Sequence, residues 1–422
     1  MRSILLALLG LFITAGVLAQ DEYYDNVSLD ESIATVILQK NIGIYDPSPI
    51  INLGTNEKLK LSFDKLEPQN EFLNYSLIHC NRDWVPSNLQ PMDYIEGNTM
   101  GEITDFKFST NTYQTYTHYS LVFPSDEMQI TKSGNYVLKV YRNFDEEDVL
   151  LIRRFMVVDV QTKINATVRS ATNPTFRFSH QEVDFKVDYD GFNIPNPFLD
   201  IGVTILQNNS WQNSITNLKP LFVNNNELSF NYENENIFPG TNEFRFFDTR
   251  SLRFYSNNVV KKYIDSVQNA VLRPEESRAH LNYVRWIDYN GKREIFNDDG
   301  VNLVEDGDYA MIHFYLKSND LSSMGDVYIY GELSDWQLKD KFKMTYHPDY
   351  DMYACSVLLK QSYYNYHFVL KDMQGQIDYS FTEGNHQETE NDYTILVYHK
   401  NVFYGYDEII GLAYRNSNTL ER

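Results

Sequence analysis

His79 and Cys80 stand side by side in the run Tyr75-Ser76-Leu77-Ile78-His79-Cys80. A thiol next to an imidazole is the pairing that nucleophilic catalysis uses. The run reads as a strand, however, and neighbours on a strand point to opposite faces. The two side chains therefore cannot meet as nucleophile and base, and both read as structural. Asn297-Asp298-Asp299-Gly300 and Glu305-Asp306-Gly307-Asp308 have the composition of calcium-binding turns. They lack the alternating ligands and closing Glu of an EF-hand loop, and hairpin turns explain them as well. There is no Gly-x-Ser-x-Gly, His-Glu-x-x-His or Cys-x-x-Cys string. No Gly-rich loop joins a strand to a helix, so no phosphate cradle is expected. Glycoside hydrolysis needs two carboxylates facing one cleft, and spacing singles out no such pair among 58 acidic residues. The reading gives no catalytic residue, no metal ligand and no cofactor.

The elements that would carry these residues are strands. Leu59, Leu61 and Phe63 alternate with Lys60 and Ser62; Val183, Phe185, Val187 and Tyr189 alternate with Asp184, Lys186 and Asp188; Ile312, Phe314 and Leu316 alternate with His313 and Tyr315. Period-two alternation marks a strand with one buried and one wet face. Turn residues separate the runs, as in Ser133-Gly134-Asn135, Asp190-Gly191, Pro239-Gly240 and Asn290-Gly291. Many short strands with regular turns predict β-sandwiches. Short helices are predicted only at Pro274–Arg278 and within Asn258–Val267. The expected class is all-β, with two to three antiparallel β-sandwich modules of immunoglobulin or E-set type in tandem.

Composition limits the partners. Lys and Arg total 36 against 58 Asp and Glu, a net charge of −22, which disfavours nucleic acid and anionic lipid. Aromatic residues make up 15%, dominated by 32 Tyr and 26 Phe, which favours strands. Met1-Arg2-Ser3, the apolar run Ile4–Val17 and the small-residue site Val17-Leu18-Ala19 form a secretory signal, with cleavage expected between Ala19 and Gln20. No cysteine follows that site, so a lipid anchor is not expected, and the apolar run is too short for a membrane span. Cys80 and Cys355 are too far apart in the chain to suggest a disulfide and read as buried small apolar residues. Roughly 400 mature residues suit two to four domains. The expected divisions are 20–160, 161–278 and 279–422, the first closing with the hairpin Tyr136–Tyr141 to Arg153–Val158.

The C-terminal stretch carries Val327-Tyr328-Ile329-Tyr330-Gly331-Glu332-Leu333-Ser334-Asp335-Trp336, followed by Tyr363-Tyr364-Asn365-Tyr366-His367-Phe368. This resembles the glycogen- and starch-binding sandwiches, in which aromatic residues stack on sugar rings. The resemblance makes Trp336, Tyr364 and Tyr366 candidate stacking residues for a glycan; the other reading is that they pack the sandwich, since a fold does not carry its function along.

A second resemblance spans the whole mature chain. Its strings are Ile78–Ser87, Tyr94-Ile95-Glu96-Gly97, Tyr116-Thr117-His118-Tyr119, Ser133-Gly134-Asn135-Tyr136, Arg154-Phe155-Met156-Val157, Asn242–Leu252 and Glu383–Thr394. Together they resemble the type IX secretion system plug protein family. The resemblance implies a non-enzymatic periplasmic protein, peripheral to the inner face of the outer membrane. Its implied partner is the large outer-membrane β-barrel translocon, with no nucleic acid, no direct membrane span and no small-molecule substrate. Within the strings, Arg82, Asp83, Trp84, Arg245, Asp248 and Arg250 are candidates either for partner contact or for fixing the fold. Aromatics beside paired charges favour the second role.

Overall fold

The computed structural model describes residues 24–42, 48–300 and 305–418. The expected cleavage site at Ala19 and Gln20 lies outside these residues. The fold is all-β. Among the described residues the helices are single turns, such as Pro91–Tyr94 and Pro197–Asp200. The two segments predicted as helices form strands instead, Val259–Ile264 and Glu275–Glu276. Val259-Val260 and Tyr263-Ile264 are β-formers, and pairing of both segments with neighbouring strands outweighs the Pro and Glu cues.

The first sandwich faces two sheets. One is antiparallel and contains Ile33–Lys40, Leu59–Lys65, Thr117–Phe123 and Asp105–Phe108. Register sets Leu59, Leu61 and Phe63 opposite Phe123, Leu121 and Tyr119. These six side chains point inward, as the alternation predicts, against Tyr75, Leu77, Tyr136, Leu138 and Phe155 of the other sheet. Each such buried side chain contributes about 1.5–3 kcal/mol.

That other sheet continues beyond the first sandwich. It carries Leu73–Cys80, Gly134–Arg142 and Val149–Val158, then passes through a short parallel contact between Val158 and Ile409 into the strand Tyr406–Asn416. Asp392–Asn401, Ile201–Gln207 and Ser210–Leu218 follow in order. The ten-stranded sheet therefore serves two sandwiches. Val149–Val158 and Ile201–Gln207 are buried on both faces, which is why they are mostly apolar without alternation, interrupted only by buried polar residues such as Arg153, Arg154 and Thr204.

In the second sandwich, Lys163–Ser170, His180–Asp188, Glu227–Phe230 and Phe222–Asn224 pack over the far half of that sheet. Val183, Phe185, Phe230, Val203, Ile205, Ile395 and Val397 share its core. In the third, Val259–Ile264, Gln268–Leu272, Tyr309–Lys317 and Met352–Lys360 face Arg245–Asp248, Gly325–Tyr330 and Tyr363–Asp372. Strand pairing thus departs from chain order. Strands between 245 and 272 join the third sandwich, and the terminal hairpin Asp392–Asn416 returns to complete the second. Alternation reports that a face is buried; it does not report which neighbour buries it.

Ile395, fully buried in the returning hairpin, tests this closure. Ile395→Ala is expected to cost about 2–4 kcal/mol in urea unfolding followed by circular dichroism, with a single transition retained.

Candidate functional site

Three of the six candidate motif residues, Arg82, Trp84 and Arg245, lie where sandwiches meet. Strand Leu73–Cys80 ends in a tight loop in which Trp84 N donates to Asn81 O at 2.9 Å. Trp84 takes the left-handed conformation, φ +63°, and turns inward to 2% exposure. Its ring meets Trp211 of the second sandwich edge-on at 4.9 Å, and the Arg154 guanidinium lies 4.5 Å over it. Arg154 Nε also donates to Tyr24 O at 2.8 Å, tying the first described residues to the same place. Arg82 reaches across to the terminal hairpin: Nη2 donates to Asp407 Oδ1 at 2.6 Å, and Nη1 to Asn217 Oδ1 at 3.2 Å. Arg82 and Trp84 therefore clasp the first sandwich to the second, while Asp83 between them is exposed.

The strings Asn242–Leu252 and Glu383–Thr394 come together at the junction of the second and third sandwiches. Glu383 is fully buried. Its carboxylate accepts from Arg245 Nε at 3.0 Å, Arg278 Nε at 2.6 Å and Phe368 N at 3.0 Å. Arg245 also reaches Glu275 at 2.7 Å. Burial alone would raise the Glu383 carboxyl, but the Arg245 and Arg278 charges overcome it and hold the group well below the usual carboxylate range. Around this centre Asn242 Nδ2 donates to Glu383 O at 2.7 Å, Thr241 N to Asn385 Oδ1 at 2.9 Å, and Thr389 Oγ1 to Thr241 O at 3.0 Å. Gly240 belongs there because a Cβ would stand 2.0 Å from the His386 carbonyl oxygen. Asp248 and Arg250 form a separate, half-buried clip, with Arg250 Nη2 donating to Asp248 Oδ2 at 2.6 Å.

Sequence reasoning missed the junction between the first and third sandwiches. Asp64 lies on the face of Leu59–Lys65 expected to be wet, yet it is fully buried because the third sandwich covers it. Lys360 Nζ and Tyr309 OH each donate to Asp64 Oδ2 at 2.7 Å, and His118 Nδ1 is 2.6 Å from Oδ1. Lys360 also lies 4.2 Å over the Tyr116 ring, whose hydroxyl donates to Gly307 O at 2.8 Å. Nearby, Asp335 faces Arg153 at 3.5 Å, Arg293 at 3.6 Å and the Lys339 ammonium. A cavity of about 90 Å³ sits beside it, bordered by Arg153, Trp211, Lys292 and Trp336 from all three sandwiches. The acidic turns serve as acceptors for neighbouring groups. Asp299 takes Ser251 Oγ at 2.7 Å and Leu252 N at 2.6 Å; Asp308 takes Tyr113 N at 2.8 Å. Among the described residues no three His, Cys, Asp or Glu side chains converge as a metal site requires.

The glycan candidates are placed differently from a stacking platform. Tyr364 and Tyr366 are 1% and 2% exposed, in the core of the third sandwich with Phe247 and Phe314. Neither ring has a face open to a sugar, because this strand is covered on both sides. Trp336 is half-buried, φ +57°, with Tyr330 and Phe244 edge-on at 5.5 and 6.1 Å. His79 and Cys80 lie apart as expected. His79 packs against Tyr136 and Tyr406, while Cys80 joins Trp84 and Ile50 in an apolar cluster on the opposite face.

The geometry defines a class: a multi-sandwich, all-β body cross-braced by paired, buried charges. Residues 33–159 match the type 9 secretion system plug protein first domain. A crystal structure of a hypothetical protein from Parabacteroides merdae is 30% identical, with a TM-score of 0.90, over 94% of this chain and 100% of that one. No curated protein matches the chain. Through residues 33–159 the chain carries the first domain of the type IX secretion system plug protein family. Membership implies association with components of that secretion system and a place in the cell envelope. Among the described residues no helix is long and apolar enough to cross a membrane.

Glu383→Gln leaves the buried Arg278 without its anion and Arg245 with Glu275 alone, and is expected to cost about 3–5 kcal/mol at pH 7 in denaturant unfolding. Burial raises and the neighbouring cations more than reverse the pKa of Glu383, Asp335 and Asp64, so all three end below their unfolded values. Their contribution is complete above about pH 4–5 and is lost on further acidification. Burial lowers His79 and His367 to about 4, so they favour unfolding as the pH falls from about 6.5. Asp288, raised to about 7 by burial, acts in the opposite sense over the same interval. Thermal melts should therefore show their steepest loss of Tm below about pH 4, with a shallower slope there for Glu383→Gln. Trp336→Ala is expected to cost ~1–3 kcal/mol and to leave migration in polysaccharide gels equal to that of the native protein.

Proposed function

We propose that the protein is a non-catalytic periplasmic plug that occludes the periplasmic opening of the large outer-membrane β-barrel translocon of the type IX secretion system while no cargo is bound. A barrel wide enough for folded cargo leaks unless one mouth is shut. A stopper for such a mouth must resist deformation, and it must leave when cargo arrives. The observation that best supports this reading is the cross-bracing. Asp64–Lys360 and Asp335–Arg153 join the first and third sandwiches, Arg82–Asp407 the first and second, and the Glu383 region the second and third. An interface of roughly 1,600 Å² in total would hold such a body in place reversibly.

The test is affinity purification of the tagged mature protein from outer-membrane extracts, combined with dye entry into cells lacking it. The expected outcome is co-purification of the barrel, less of it when the barrel is loaded with cargo, and raised dye entry on deletion. Failure of the barrel to co-purify, together with unchanged permeability, would end the proposal.

A further inference from the structure

The turn between Asp392–Asn401 and Tyr406–Asn416 exposes Val402, Phe403 and Tyr404 together, with Phe403 94% exposed. The turn is nevertheless held in one shape. Asn401 Oδ1 accepts from Phe403 N and Tyr404 N at 3.2 Å each, and Gly405 N donates to Asn401 O at 2.8 Å. Gly405 supplies the positive φ, +71°, that closes the turn. Asn401 Nδ2 is fixed in turn by Glu408 at 2.9 Å. The tip is carried by the sheet that runs through two sandwiches. Beside it the turn Pro197–Asp200 exposes Phe198 and Leu199. An apolar finger kept rigid while touching so little of its own fold has the properties of a binding anchor: aromatic, preordered and cheap to immobilise.

The surrounding charge indicates what the finger fits. Lys132 Nζ lies 5.1 Å from the centre of the Tyr404 ring. Lys219 and Lys400 line an adjoining cleft of about 520 Å³ with Arg82, Asp83, Leu199 and Asp407. Lys219 donates to the Ile201 carbonyl at 2.8 Å, and Arg82 engages Asp407. No carboxylate lies within ion-pair distance of Lys132, Lys219 or Lys400 among the described residues. The acidic groups facing the cleft are Asp83 and Asp407, with Asp200 behind it. In a chain of net charge −22, three lysines without an ion-pair partner among the described residues gather at this end, with Glu408 at Asn401 and Asp159 near Tyr406 as the further acids beside the tip. An anionic bilayer would meet the same lysines, but the rest of the surface would repel it.

We propose that the Val402–Tyr404 tip seats the protein on the translocon, with Phe403 entering an apolar pocket of the barrel protein whose rim carries carboxylates facing Lys132 and Lys400. The inference rests on the plug reading above. The probe is the purified barrel in detergent, applied to immobilised mature protein by interferometry. The variants are Phe403→Ser with Tyr404→Ser, and Lys132→Glu with Lys400→Glu, their folding checked by thermal melts. The apolar pair is expected to weaken binding roughly tenfold or more, mainly through faster dissociation. Charge reversal is expected to slow association, with an effect that shrinks at high salt. If native protein and both variants bind the barrel equally, the anchor assignment falls and the plug reading stands. If the native protein does not bind the barrel, both fall. Tip-dependent binding to phosphatidylethanolamine–phosphatidylglycerol vesicles, with barrel binding unaltered by the variants, would overturn the assignment in favour of a lipid surface.

Discussion

The second sandwich cannot close until the chain has built the third and come back. Asp392–Asn401 lies between Ile201–Gln207 and Tyr406–Asn416, so the middle of the shared sheet is made from segments almost 200 positions apart. Everything else follows from that return. The Arg82 clasp needs Asp407, and the network around Gly240 needs His386 and Thr389. Contacts of such sequence separation are reached late, after the entropy of a long loop has been lost.

Buried charges do a different job. Replacing a buried ion pair by well-packed apolar residues is often neutral or stabilising, so these clusters are weak evidence for net stability. What they do here is orient. Asp64 has His118 of its own sandwich on Oδ1, but Oδ2 takes its partners, Lys360 and Tyr309, from the third sandwich. Glu383 needs Arg245, Arg278 and the Phe368 amide at once. An apolar contact tolerates sliding, whereas these do not. The three sandwiches are therefore fixed in mutual placement by groups that are costly to leave half-paired.

Much of this was legible in the residues, and its limits have physical causes. Period-two runs such as Leu59–Phe63 located strands and their inward faces, because burial on one side imposes alternation. The family strings located residues that meet, as Arg245 and Glu383 do, but could not say that they meet each other. Asp64 was invisible: an acid on the polar side of an alternating strand reads as wet unless the covering domain is known. Tyr364 and Tyr366 could be read as a sugar platform or as core, because tyrosines on a strand have the same spacing whether their face is open or covered. The tip at Phe403 carried no periodic signal at all, since a turn has no repeat to read.

Trp84 illustrates what the bracing means under load. Its ring meets Trp211 edge-on and lies under the Arg154 guanidinium, which also reaches the Trp211 ring at 5.7 Å, and Arg154 in turn holds the chain at Tyr24. Tension applied at Tyr24 would pass directly into the middle of the molecule, without first peeling an outer strand. A body wired in this way carries a pull on one sandwich to all three together.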